Sequence, residues 1–438
     1  MLQAGLRLEQ APPISVPFRF FLTAPVFIVL ASAVLLWRGP EVFDSRLSPA
    51  ALAATHLFTL GVMAMVMMGA VMQMLPVLAG SPIPLPRATA AIAHAALSLG
   101  TPLLAAGFLV GAPWLLRTGA TALAIGFAVF IAAVATSLWR SRVRTDTSRA
   151  ILLAAVSLLA TVVFGFALAS GLGWGIALPN LSIRYLHPAW GMLGWLGLLA
   201  GGVAYQVVPM FQMTPPYPGP MTRYFAAAVF ALLALWSGAL WMTDGSGGPL
   251  ADACALALAA GYAAFGVVTL ALERRRRRRQ PDALLHFWRA AMSSLIAANL
   301  LWAYRLVSPT HAPEALDVLI GMLALVGFAG SIINGMLYKI APFLVWFHLR
   351  SRAGAGRPVP NMRQILGEAD QRLQARVHFA ALVLLAGAAA WPSVLVYPAA
   401  FALGASGMLL GANLIRTLLV FRQSARANDP MPAAARAC

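Results

Sequence analysis

Histidine and methionine are the residues of this chain best suited to chemistry. Seven histidines and eighteen methionines stand beside only two cysteines and thirteen carboxylates. Imidazole is the commonest metal ligand among side chains, and thioethers are soft ligands that suit Cu(I). His56 and His187 each fall near the start of a long apolar run. An ionisable side chain inside a membrane is a functional-site candidate by default. His311 precedes a third such run, near whose start stands Asp317, a position favoured by a helix dipole. Met63, Met65, Met67, Met68, Met72 and Met74 crowd one stretch. Met63 and Met67 share one helical face, and Met65, Met68 and Met72 share another, so both a copper path and adaptable packing stay open. His94, His286, His348 and His378 are explained as interface or packing residues. Cys254 and Cys438 give neither a disulfide framework nor a thiolate metal site. The chain has no nucleophile–base constellation, phosphate loop or zinc-type spacing. Gly171–Gly175 and Gly245–Gly248 lack the strand–loop–helix context of a nucleotide site.

The elements that must position these residues are membrane helices. Of the 438 residues 61% are hydrophobic and 10% charged, and the mean hydropathy is +0.80. A soluble chain needs about a quarter charged residues, so the apolar surplus must face lipid. Runs long enough to span a bilayer lie near 17–37, 50–78, 88–111, 113–138, 150–172, 184–211, 223–242, 249–272, 284–306, 315–347, 376–395 and 397–421. The sequence therefore predicts an all-α integral membrane protein of about twelve spans, two of them separated at Tyr397-Pro398. Arg7 and Glu9 precede the first run, which has no small-residue cleavage site, so it reads as a span rather than a cleavable signal.

The net charge of +18 points to topology, not nucleic acid. The arginines gather in alternate loops: Arg140, Arg142, Arg144 and Arg149; Arg274–Arg279; Arg350–Arg376; and the tail with Arg422, Arg426 and Arg436. By the positive-inside rule these loops and both termini are cytoplasmic, in a multi-pass protein of a bacterial-type inner membrane. The run Arg274–Arg279 reads as an anchor that attracts anionic head groups.

A threefold repeat runs through the spans. Gly61, Gly194 and Gly327 are each 133 residues apart, and the same interval separates Gly69, Gly202 and Gly335, and Pro76, Pro209 and Pro342. Three and four residues before each proline stand Gln73 and Met72, Gln206 and Tyr205, and Lys339 and Tyr338. Repeats of this size mean duplicated structural units. The predicted units are 1–148, 149–282 and 283–438, each of four helices, forming one membrane domain. The glycines suit close helix approach or leave room for a flat cofactor.

Three four-helix units with special second, sixth and tenth helices resemble the catalytic subunit of haem-copper oxidases and nitric oxide reductases. His56-Leu-Phe-Thr-Leu-Gly61 and Met72-Gln-Met-Leu-Pro-Val-Leu78 are similar to that superfamily's second helix. His187-Pro188 is similar to its copper-ligand helix, and Gly335-Met-Leu-Tyr-Lys-Ile-Ala-Pro-Phe-Leu344 to the end of its tenth. The resemblance extends to the haem- and copper-containing proteins linked to nitric oxide stress. It covers the architecture of nearly the whole chain but only short stretches of sequence. The departures are specific. Residues 223–242 lack the histidine pair that ligates copper, and Ile320 and Met322 stand where the tenth-helix haem ligands belong. Oxygen or nitric oxide reduction by the usual binuclear centre is not expected.

What the resemblance leaves is a b-type haem between the second and tenth helices, with His56 and Met322 as axial ligands. Histidine–methionine ligation raises a haem's potential. His187 then holds a second cofactor, a copper ion or a hydrogen-bond partner, and His311 can join it at a surface copper site. The expected function is electron transfer, gas sensing or protection against nitric oxide, with a redox partner or an oligomer. A copper or haem transporter or chaperone, and an assembly subunit without a cofactor, are the alternatives.

Overall fold

A computed structural model describes residues 10–141, 145–278, 280–311, 313, 315–352 and 358–428. The positions Arg7, Glu9, Arg142, Arg144, Arg279, Arg436 and Cys438 lie outside the described residues. Among those described there are helices and no strands. The long ones are α1 (Ser15–Arg38), α2 (Pro49–Val77), α3 (Pro86–Val110), α4 (Pro113–Arg140), α5 (Asp146–Trp174) and α6 (Ile183–Gln212). Then follow α7 (Gly219–Met242), α8 (Pro249–Arg274), α9 (Ala283–Val307), α10 (Ala315–Arg352), α11 (Glu368–Ala388) and α12 (Pro392–Ala425). Eleven of these, all but α11, are long and apolar enough to cross a membrane.

Helix starts follow local chemistry. Pro49, Pro86, Pro113, Pro249 and Pro392 occupy first turns, where a missing N–H costs nothing. Ser48, Thr145 and Asp282 cap α2, α5 and α9 by accepting from backbone N–H groups of the first turn. In lipid such satisfaction of the backbone is obligatory, which is why the spans are helical.

The end of the chain departs from expectation. The predicted run 376–395 is α11 instead, starting at Glu368 and ending at Ala388. Arg372 and Arg376 lie within it and leave an apolar stretch of twelve residues, Val377–Ala388, shorter than the about 20 of an ordinary span. The break expected at Tyr397-Pro398 falls at Trp391-Pro392, and Pro398 lies inside α12. The residue before a proline disfavours helix, and Pro392 then takes the first helical position.

Packing makes a closed circuit. α1 packs on α2 and on α12, α5 on α4 and α6, and α9 on α8 and α10. Exposed Trp37, Trp114, Trp241 and Trp391 stand at one end of the bundle, where α1 and α7 end and where α4 and α12 begin. Indole rings gather at membrane–water interfaces in this way. The described members of the arginine run, Arg274–Arg278, stand at the opposite end.

Three helices widen at one place each. α2, α6 and α10 contain π-helical turns at Thr59–Ala64, Trp190–Gly197 and Leu323–Gly330. Their last residues, Ala64, Gly197 and Gly330, are spaced by 133, and the repeated glycines 61, 194 and 327 lie inside them. A Cβ on Gly61 would enter the Phe27 ring of α1, one on Gly194 would lie 2.6 Å from Ser157 Cβ of α5, and one on Gly327 would meet Ser294 of α9. Gly69, Gly202 and Gly335 face Phe20, Ala150 and Phe287 of the same three helices. These glycines let helices approach; a flat cofactor does not occupy their faces. Gly61→Val is accordingly expected to destabilise by about 1–3 kcal/mol through overpacking. Gly238→Ala, in open space on α7, is expected to raise stability by about 0.5–1 kcal/mol. Thermal midpoints of the detergent-solubilised variants, moving in opposite directions, would check both.

Candidate functional site

The helical segment before each of the first two π turns carries one histidine. His56 lies in the last turn of Pro49–Phe58, and its Nδ1 meets the Leu52 carbonyl oxygen at 2.7 Å. His187 lies in Ile183–Ala189, and its Nδ1 meets the Thr161 carbonyl oxygen of α5 at 3.0 Å. A carbonyl only accepts, so Nδ1 carries the proton in each neutral ring and Nε2 keeps its lone pair. This is the arrangement by which proteins fix a metal-ligating imidazole: one nitrogen tethered, the other free to bind.

The two rings face each other. Their centroids are 6.2 Å apart and their planes within 9° of parallel. That separation is too wide for face-on contact. Two imidazoles that bound one metal through Nε2 from opposite sides, at roughly 2.0–2.1 Å per bond, would lie end to end with ring centres about 6.4 Å apart, a separation close to the one seen here. Phe108 of α3 packs against His56 at 5.2 Å between ring centres. Gly165 of α5 backs His187: a Cβ there would lie 2.7 Å from Cε1 and 3.0 Å from Nδ1. Both histidines are half-buried.

Met322, expected opposite His56, lines a different space. A cavity of about 100 Å³ is bounded by α1, α2, α10, α11 and α12, with Met322 in its wall. Thr55 and Phe58 supply the side of α2, while His56 turns to His187. At about 100 Å³ this cavity is smaller than the roughly 300–1,000 Å³ of pockets that enclose drug-sized ligands. At its mouth Asp317 lies 3.5 Å from Arg305 and 3.8 Å from Arg46, ion pairs that hold it as firmly as the helix dipole does. The Arg46 guanidinium also lies over the Tyr185 ring, 5.6 Å from its centre.

His311 is exposed beside α10, with Nδ1 3.1 Å from Thr310 Oγ1. Among the described residues no three His, Cys, Asp or Glu side chains converge, so His56, His187 and His311 form no shared cluster. His94 ties α3 to α1 through Thr23 Oγ1 at 2.8 Å. His378 is buried in α11, bonded to Ser331 Oγ at 2.9 Å and to Asn334 Nδ2 at 3.2 Å. His286 is exposed, and His348 is half-buried. Met63, Met65, Met67, Met68 and Met72 are buried in the core, which is the packing role.

The pairing of His56 with His187, and the support from Gly165, are what the sequence reading missed. A usable signal was present: both histidines precede a repeated glycine by a short interval, five residues before Gly61 and seven before Gly194. Comparison with known proteins adds no relative: no protein-family model matches the chain, and no curated protein matches it.

Proposed function

We propose that the chain is a haem-binding, electron-transferring protein of a bacterial-type inner membrane, in which His56 and His187 would hold a b-type haem. The observation that carries this is the facing pair itself: 6.2 Å apart, 9° from parallel, both Nδ1 atoms tethered. Two neutral imidazoles do not complete a tetrahedral metal site. They do complete a centre that brings its own four equatorial nitrogens.

Bound there, the haem supplies a one-electron couple. The chain's own part is positional: the Leu52 and Thr161 carbonyls fix the tautomer, Gly165 admits the His187 ring, and Phe108 walls His56. With the iron held by two protein imidazoles, electron transfer would be favoured over gas binding. The wider reading goes with it. The chain is a degenerate relative of the haem-copper oxidase scaffold, with α11 as a twelfth span, three pseudo-symmetric units and both termini cytoplasmic. The circuit of helix contacts, the three π turns at a common interval and the cluster Arg274–Arg278 at one end support that arrangement.

A second reading rests on the same pair. Two imidazoles on opposite sides of one ion also suit linear Cu(I), which would make the chain a copper carrier. The visible spectrum and metal content of protein purified from haem-replete cells separate the two. A stoichiometric Soret band with low-spin character is the expected result. Copper without a Soret band would transfer the site to the second reading, and neither would remove both.

A further inference from the structure

At the arginine-rich end, remote from the histidine pair, a cavity of about 360 Å³ opens between the ends of α6, α9, α10 and α11. Its polar wall is built on two carboxylates. Asp282 is paired with Lys339 Nζ at 2.9 Å and Arg278 at 3.1 Å, and Glu368 with Arg372 at 3.3 Å and Arg363 at 3.4 Å. Three of these cations, Arg278, Lys339 and Arg363, line the cavity with the two anions, leaving local charge of the basic sign. An ammonium has three N–H donors and a guanidinium five. Lys339 and Arg278 each spend one on Asp282, and both line the cavity along with Arg363. The rest of the wall is apolar, with Met213, Pro342 and Leu366 prominent.

We infer that this cavity binds a phosphate-bearing ligand, its phosphate against Lys339, Arg278 and Arg363 and its less polar part against the apolar wall. The volume lies in the range of small-ligand sites. Basic pockets between helices at a membrane surface take phospholipid head groups, and a soluble phosphate compound offers the same chemistry. Lys339 stands where the other two repeats carry Gln73 and Gln206, so Lys339→Gln places there a residue that those helices already accommodate.

The test uses the full chain in detergent. Native mass spectrometry counts phosphatidylglycerol retained against phosphatidylcholine, and calorimetry follows titration with inorganic phosphate. A preference for phosphatidylglycerol that falls about fivefold in Lys339→Gln is expected, from roughly 1 kcal/mol per cation near a phosphate. Binding of inorganic phosphate that weakens likewise, without lipid preference, would support a soluble source instead. Should Lys339→Gln fail to fold, Arg363→Gln, whose side chain is 70% exposed, gives the same reading. No preference for either probe, or one unchanged in both variants, overturns the inference.

Discussion

Replacing His187 with alanine is expected to abolish the haem binding proposed for this protein, and His56→Ala to do the same. Each would remove one of the two imidazole nitrogens proposed to hold that group. Gly165→Ala is the more discriminating change. Its new methyl group would press on the edge of the His187 ring that carries Cε1 and Nδ1, loosening the bond to Thr161 without removing a ligand. Loss of such support costs about 10–100-fold in metal affinity. The expected signature is therefore reduced haem content at an unchanged helix content by circular dichroism. Met322→Ala is expected to leave the Soret band intact. The reverse pattern, with Met322→Ala bleaching the protein and His187→Ala sparing it, would restore histidine–methionine ligation and end the proposal made for the histidine pair.

The second large effect lies at Asp282. It caps α9 through the Leu285 N–H at 3.1 Å and pairs with both Lys339 and Arg278. Burial pushes its carboxyl upward, but the neighbouring Lys339 ammonium, the Leu285 N–H and Arg278 outweigh burial and hold it below the ordinary aspartate value. Asp282→Ala is expected to cost about 3 kcal/mol, because it leaves two partly buried cations facing each other. Asp282→Asn keeps the cap, worth about 1 kcal/mol, and loses the charge, so it should fall between wild type and alanine. The pH dependence has a definite sign. A depressed carboxyl stabilises the fold above the unfolded-state value of about 3.9, and that stability is lost as pH falls through the lower folded value. Thermal midpoints of wild type should drop below about pH 4 more steeply than those of Asp282→Asn. Parallel curves would show that the ion pairs contribute nothing.

The spans were legible wherever apolar length alone decides them. The run 184–211 became Ile183–Gln212, and 315–347 became Ala315–Arg352. Legibility failed at residues 368–398, where two prolines compete to break the chain and only tertiary contacts decide. One such contact brings Tyr397 of α12 against Gly39 after α1. His56 and His187 were legible singly, as ionisable residues in apolar runs. Their pairing was not. The repeat aligns Met322 with His56, but equivalent positions in a repeat need not face one another, and which neighbour an imidazole meets depends on its rotamer and on how its helix is turned. Gly165 was invisible because its use, a bare Cα beneath an imidazole, leaves no mark in composition.

The π turns carry a mechanical consequence. A widened turn interrupts the i→i+4 ladder, and the Leu193 carbonyl within one of them accepts a hydrogen bond from the Tyr262 hydroxyl. Bends in long helices concentrate at such turns. In α2 and α6 the histidine lies on one side of the soft turn and the proline of the repeat on the other, and in α10 Met322 and Pro342 are divided in the same way. The three helices therefore carry their irregular turns at equivalent positions of the repeat. The histidine pair and the charged cavity thus lie on opposite sides of this level, each built on backbone that the irregular turns separate.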